Sequence, residues 1–337
     1  MARPDLHRNA DCTSIVRDPR LTRIANELSA VLRPSIRLLA KPLKIDPPVG
    51  CTKLGCCPDL PPAASWPTCR IEMPKPSEAF LNTRPNDRRL PPDGIVELAF
   101  VGQINLKDVH PFDTEARLPS DGLLSFFYNP QVFPSDATSS GRGRVRDHRT
   151  GFSYNLYGFD NIDNWQVLYS DANSKLERRE LPATLPERIR YKPHSVKFRM
   201  EQTVPSIETS FLTGPNSDSG LLNLTKEEWE IFRELRYGLR ANIEINQMLG
   251  FADQFSTTID EGSYWGARPK LFPGSPVMET LSKNELIATA QNIRLLLQVN
   301  RFDNSADWWG RDGSLYFFIR DSDLDNHDFS KVWGGTE

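Results

Sequence analysis

The sequence predicts an α+β fold, strand-dominated and internally duplicated, with mixed sheets and a few helices. The first observation behind this is a pattern that occurs twice. Leu98 to Leu106 (LAFVGQINL) is an apolar strand carrying Gln103 and Asn105, followed after a loop by Asp121-Gly122 and a second strand with Phe126-Phe127. Leu295 to Asn300 (LLLQVN) repeats the order with Gln298 and Asn300, then Asp312-Gly313 and a strand with Phe317-Phe318. One order of features in two places marks an internal duplication. The second observation is the paired phenylalanines. Successive strand residues point to opposite faces, and burying each ring contributes on the order of 1.5–3 kcal/mol, so both faces of these strands need cover. The third is that helical periodicity is confined to short stretches.

Asp18-Pro19 places a capping residue before a proline at the first helical position, and Leu21, Ile24, Ala25, Leu28, Val31 and Leu32 follow at helical spacing to about Arg33. Ser35 to Ala40 (SIRLLA) then reads as a strand. From Pro42 to Pro92 the chain holds 12 of its 27 prolines, which excludes long regular elements. Leu54, Leu60, Trp66, Ile71, Phe80 and Leu81 make that stretch a covering layer over the core. The first repeat unit is followed by Ser135 to Gly151, polar and arginine-rich, read as a mobile loop. Further strands are expected at Trp165 to Tyr169 and within Glu187 to Gln202. Thr225 with Glu228 forms a capping box for a helix ending near Gly238, and Ser282 with Glu285 opens another that feeds the second repeat unit. The expected organisation is an N-terminal helix and strand over 1–41 and a duplicated domain over 42–333, its halves about 42–200 and 201–333.

A chain of 337 residues buries a large core. Its net charge of −3 and pI near 6.0 give no general attraction to nucleic acid or anionic membrane. The charge is unevenly spread: Arg142 to Arg199 holds 12 basic and 7 acidic residues, Met200 to Glu337 12 basic and 21 acidic. Such a dipolar chain suits docking to a charged partner. No apolar run approaches the ~20 residues of a membrane helix, the N-terminus lacks the apolar stretch of a signal peptide, and five cysteines fit a reducing compartment. The expected location is the cytoplasm.

The chemical motifs are sparse. Cys51, Cys56, Cys57 and Cys69 crowd into one segment, but adjacent cysteines rarely reach one metal and the spacing matches no finger or ribbon, so no metal is expected. Asp321, Asp323 and Asp325 begin like a calcium loop, yet Asn326 stands where the turn glycine is needed and Val332 where the closing glutamate belongs. No nucleophile elbow or phosphate-binding glycine loop is present, and no cofactor is expected. Arg142, Arg144, Arg146 and Arg149 form the best anion-binding candidate, and without interleaved aromatics they point to an acidic protein face rather than nucleic acid, the alternative being a merely solvated loop. Gln103, Asn105, Gln298, Asn300, Trp309 and Asp312 are the candidates for a polar site between the halves. The bland alternative is that the amides bond backbone, since a buried amide without partners costs about 1–3 kcal/mol.

Several segments together resemble the YwqG-like family, a bacterial domain family of unknown function. They are KLGCCPDLPPAASWP (Lys53 to Pro67), LAFVGQINL, LPSDGLLSFFY (Leu118 to Tyr128), LGFADQ (Leu249 to Gln254), LLLQVN and WWGRDGSLYFFIRDSDLDNHDF (Trp308 to Phe329). Where that family has Gly-Gly before Pro-Asp-Leu-Pro, this chain has Gly55-Cys56, which makes Cys56 a local specialisation. The resemblance implies no reaction; it implies an immunity-like or regulatory role beside a toxin or secretion locus. The reading is therefore a non-enzymatic cytosolic binding protein. The alternative is a hydrolase or other enzyme whose polar site lies between the halves.

Overall fold

The computed structural model describes residues 12–70, 95–129, 144–146, 153–155, 164–185, 189–206, 212–213, 222–240, 246–253, 260, 264, 267, 271–274, 280–300 and 314–336. Ten strands form one sheet: β1 Arg33–Pro42, β2 Lys53–Leu54, β3 Ala99–Asn105, β4 Leu123–Tyr128, β5 Trp165–Ser170, β6 His194–Thr203, β7 Gln247–Leu249, β8 Ile293–Asn300, β9 Ser314–Arg320 and β10 Trp333–Thr336. Their order is β5-β4-β3-β2-β6-β1-β7-β8-β9-β10, antiparallel at every pairing. The fold is α+β and strand-dominated. Among the described residues the parallel component of the predicted mixture is confined to the separate pair Leu212–Thr213 and Leu222–Asn223.

The strand order is symmetric about its centre, and the register shows that the symmetry is a duplication. Gln103 in β3 stands opposite Lys53 and Ser125; Gln298 in β8 stands opposite Gln247 and Tyr316. Both ladders slip at the same place, between Phe100 and Gly102 in β3 and between Leu295 and Leu297 in β8. A bulge leaves one residue unpaired and is a specific feature of a strand, so its recurrence just before each glutamine is not a product of composition.

Each repeat has five strands in the same chain order, β1 to β5 and β6 to β10. The first strand of each lies beside the other repeat: β1 pairs with β7 (Ser35↔Leu249) and β6 with β2 (His194↔Leu54). The two halves are thus joined by a reciprocal exchange of strands. Arg33–Pro42, assigned from sequence to a segment preceding the duplicated domain, lies at the middle of the shared sheet, and a cut at 200 falls inside β6.

The sheet curves until its ends meet. Trp165 of β5 stands 5.3 Å from Phe317 of β9, ring centre to centre, and a Cβ on Gly334 of β10 would come within 2.4 Å of the Trp165 ring. The equivalent residues Phe126 and Phe317 face each other across this closure at 5.2 Å. Alternation sorts the paired phenylalanines as their chemistry requires. Phe126 and Phe317 enter the central core, Phe127 packs under the covering layer of Leu60, Trp66 and Cys69, and Phe318 joins Tyr264, Phe272 and Trp333 on the outer side.

Helices cover part of the outer surface. Asp18 caps a 3-10 turn Pro19–Ile24 that runs into the helix Ala25–Ala30, and Leu21, Ile24 and Leu28 pack with Phe232 of the helix Lys226–Arg240. Both predicted capping boxes are present, Thr225 with Glu228 and Ser282 with Glu285, the latter opening the helix Lys283–Gln291. Asp321–Asp325 is a short helix whose carboxylates Asp321, Asp323 and Asp325 are paired with Arg117, Arg294 and Arg320. Within the arginine-rich stretch read as a loop, Arg144–Arg146 is a short strand paired antiparallel with Ser153–Asn155. Among the described residues no helix is long and apolar enough to cross a membrane.

Candidate functional site

Each repeat builds a clasp in which a strand glutamine holds the loop that follows the second strand. In the first, the Asp59 backbone N–H donates to Gln103 Oε1 at 2.9 Å, while Gln103 Nε2 donates to Cys51 O at 2.8 Å and Asp59 Oδ2 at 2.7 Å. In the second, the Asp253 N–H donates to Gln298 Oε1 at 2.8 Å and Gln298 Nε2 returns to Asp253 O at 3.1 Å. The asparagines repeat the logic one pleat further on. The Asn105 N–H donates to Thr52 Oγ1 at 2.9 Å, and the Asn300 N–H to Asn246 Oδ1 at 2.7 Å. Asn105 also donates through Nδ2 to Gly50 O and accepts from the Lys107 N–H.

The clasps differ in charge. Lys53 and Asp59 are both fully buried, 0% exposed, with Lys53 Nζ 2.8 Å from Asp59 Oδ2. Arg178 Nε donates to Asp59 Oδ1 at 2.8 Å and the Gly50 N–H to Oδ2 at 2.9 Å. Burial pushes the Asp59 carboxyl up, but the hydrogen bonds from Arg178 and Lys53 outweigh it, and its pKa lies below the usual carboxylate range. The second repeat has Gln247 where the first has Lys53. With no cation on that strand, Asp253 turns to Arg37 at 3.3 Å and Arg236 at 3.7 Å, and Arg37 also binds Glu201 at 2.6 Å.

The glutamines and asparagines named from sequence therefore lie in two separate networks, the second reached from the other repeat by Ser35 and Arg37 of β1. Gln103 and Asn105 meet Thr52, Asp59 and Gly50; Gln298 and Asn300 meet Asn246, Gln247 and Asp253. Trp309 and Asp312 lie outside the described residues, as do Arg142 and Arg149. Arg144 and Arg146 are placed by their backbone in the short antiparallel pair with Ser153–Asn155. Because the networks share no member, the losses in Gln103→Leu and Gln298→Leu are expected to add. Each variant strands a buried N–H and loses about 1–3 kcal/mol, and a double variant measured by denaturant melting should fall within ~0.5 kcal/mol of their sum.

Sequence reasoning missed Lys53, Asp59, Arg178, Arg37, Glu201, Gln247 and Asp253. It also missed an exposed basic face. On the outer side of the two central strands, Lys41 lies opposite Ser195, Leu39 opposite Lys197 and Arg37 opposite Arg199, so alternation sets Lys41, Lys197 and Arg199 on one face. All three are exposed, Arg199 pairing with Glu201, while among the described residues Lys41 and Lys197 have no ion-pair partner. Beyond Lys41 the chain turns out through Lys44 into a loop carrying Ile45, 78% exposed, and Val49, 51% exposed. Among the described residues no group of three or more His, Cys, Asp or Glu is arranged to hold a metal ion.

Residues 52–336 match the family model described as a domain of unknown function, DUF1963. The match spans most of the sequence, and the chain belongs to that family. No curated protein matches it significantly.

Proposed function

We propose that the protein is a non-enzymatic binding protein that docks an acidic protein partner on the outer face of its central strands. The observation carrying this is the exposed basic face of Lys41, Lys197 and Arg199, with Lys44 and the exposed Ile45 and Val49 following in the chain directly after β1. Apolar anchors rimmed by cations fit a protein surface with a negative rim, since cations steer the encounter and apolar groups hold it. The internal occupation of Asp59, Gln103, Asp253 and Gln298 supports the same reading, because their hydrogen-bonding capacity is spent on the fold. The resemblance to the YwqG-like family adds an immunity-like or regulatory role beside a toxin or secretion locus, in the cytoplasm.

The test is the double variant Lys41→Glu, Lys197→Glu, assayed for co-purification with the products of neighbouring genes and for melting temperature. Exposed substitutions of this kind change stability by about 0.5 kcal/mol or less, so the melt should hold while capture is lost. Capture unaffected by the reversal would place the interface elsewhere.

A further inference from the structure

The first repeat carries, at the turn after β2, two adjacent cysteines where the second repeat carries Gly250 and Phe251. Both repeats take two successive residues through the left-handed region there: Gly55 at φ 71° and Cys56 at φ 67°, Leu249 at φ 59° and Gly250 at φ 70°. Cys56 thus occupies the conformation that glycine supplies in the sister repeat, at a cost of about 1–2 kcal/mol for an L side chain. The turn is held by the Gly55 N–H to Val101 O and the Cys56 N–H to Tyr191 O, both 2.8 Å. A Cβ on Gly55 would meet Lys192 O at 2.2 Å, so the chain cannot relax by shifting toward β6. The Cys56 thiol donates to Asp46 Oδ1 at 3.1 Å, and Cys57 beside it is partly exposed.

We propose that Cys56 and Cys57 form a dithiol site that reacts with low-molecular-weight disulfides, Cys57 attacking and Cys56 resolving. The Cys57 thiolate attacks one sulfur of the disulfide, forming a mixed disulfide and expelling one thiolate. Cys56 gives up its proton on the Asp46 side and attacks the Cys57 sulfur, forming the Cys56–Cys57 bond and expelling the second thiolate. Two cysteines are oxidised, one small disulfide is reduced to two thiols, and the protons lost by the cysteines go to those thiols through solvent. The roles follow from the surroundings. The Cys56 S–H, shared between Asp46 and the Cys57 sulfur, lowers the Cys57 thiol from 9.0 to about 6, helped by the Leu181 N–H against the effect of burial. Cys56 is pushed up by its bond to Cys57, by burial and by the Asp46 carboxylate, and keeps its proton until the second step. Neighbouring Cα atoms are about 3.8 Å apart across a trans peptide, below the ~4.4 Å lower end for ordinary disulfides, so the product is strained and easily reduced.

The test incubates the full chain with oxidised glutathione and maps peptides by mass. Wild type should yield the Cys56–Cys57 disulfide, reversed by reduced glutathione. Cys56→Ser should retain glutathione on Cys57, and Cys57→Ser should take up none in this segment. In unsubstituted protein, alkylation of Cys57 by iodoacetamide should rise with a midpoint near pH 6, which needs no variant to fold. A mixed disulfide persisting on wild-type Cys57, modification of Cys51 in its place, or an alkylation midpoint at the ordinary thiol value would overturn the proposal. The chemistry is independent of partner docking and stands or falls without it.

Discussion

Asp59→Asn is expected to destabilise the protein by about 3–5 kcal/mol, the cost of leaving a buried ion without its partner. Lys53 is 0% exposed and 2.8 Å from Asp59, with no other carboxylate among its ion pairs in the described residues, so its ammonium would stay in the core facing a neutral amide. Lys53→Met should cost less, because Arg178 still neutralises Asp59. Chemical denaturation of the two variants checks the order. The same pair sets an acid limit. The folded pKa of Asp59 lies below the ordinary aspartate value of 3.8, so as pH falls the unfolded chain takes up the proton first. This contribution is complete at neutral pH and is lost progressively from about pH 5 downward, through the folded pKa. In Asp59→Asn that part of the acid dependence should be missing from the melting curves.

Arg37→Met has the second large expected effect, again about 3–5 kcal/mol. Arg37 is 2% exposed and joins Glu201 of β6 to Asp253 beyond β7, so a single guanidinium ties the exchanged strands together. Burial works against its charge, and the carboxylates of Asp253 and Glu201 more than restore it, so its pKa stands above the ordinary arginine value. Without it Glu201, 5% exposed, keeps among the described residues only Arg199, itself 47% exposed. Because β1 and β6 belong to different repeats, the loss should appear as one cooperative transition at lower denaturant, seen equally by probes in either half. Two separated transitions would show that the halves unfold independently.

What the sequence disclosed of this fold follows from where the information resides. The Gln-x-Asn strands and the Phe-Phe strands were legible because burial on both faces leaves a dense local signature, and the capping boxes because each is complete within four residues. The exchange of β1 and β6 was not legible, since the pairing of Ser35 with Leu249 spans most of the chain and has no local trace. The aspartates of the clasps were not legible, because their equivalence depends on the strand register. Leu54-Gly55 and Leu249-Gly250 look alike as text, but Gln103 opposite Lys53 and Gln298 opposite Gln247 set the true frame, which matches Gly55 with Leu249 and Asp59 with Asp253. The basic face was missed because it is assembled from strands more than a hundred residues apart, each with only a few exposed cations.

The central claim is that the duplicated polar residues hold the fold while the outer face of the central strands holds the partner. The measurement that tests it most directly is partner association, followed in one assay at a temperature where every form is folded, for wild type, Gln103→Leu and Lys41→Glu, Lys197→Glu. The account predicts that Gln103→Leu associates as wild type does, with a rate that falls as salt is added, and that the lysine reversal loses association. Loss of association in Gln103→Leu with binding intact in the lysine reversal would contradict it and return the site to the glutamine clasps.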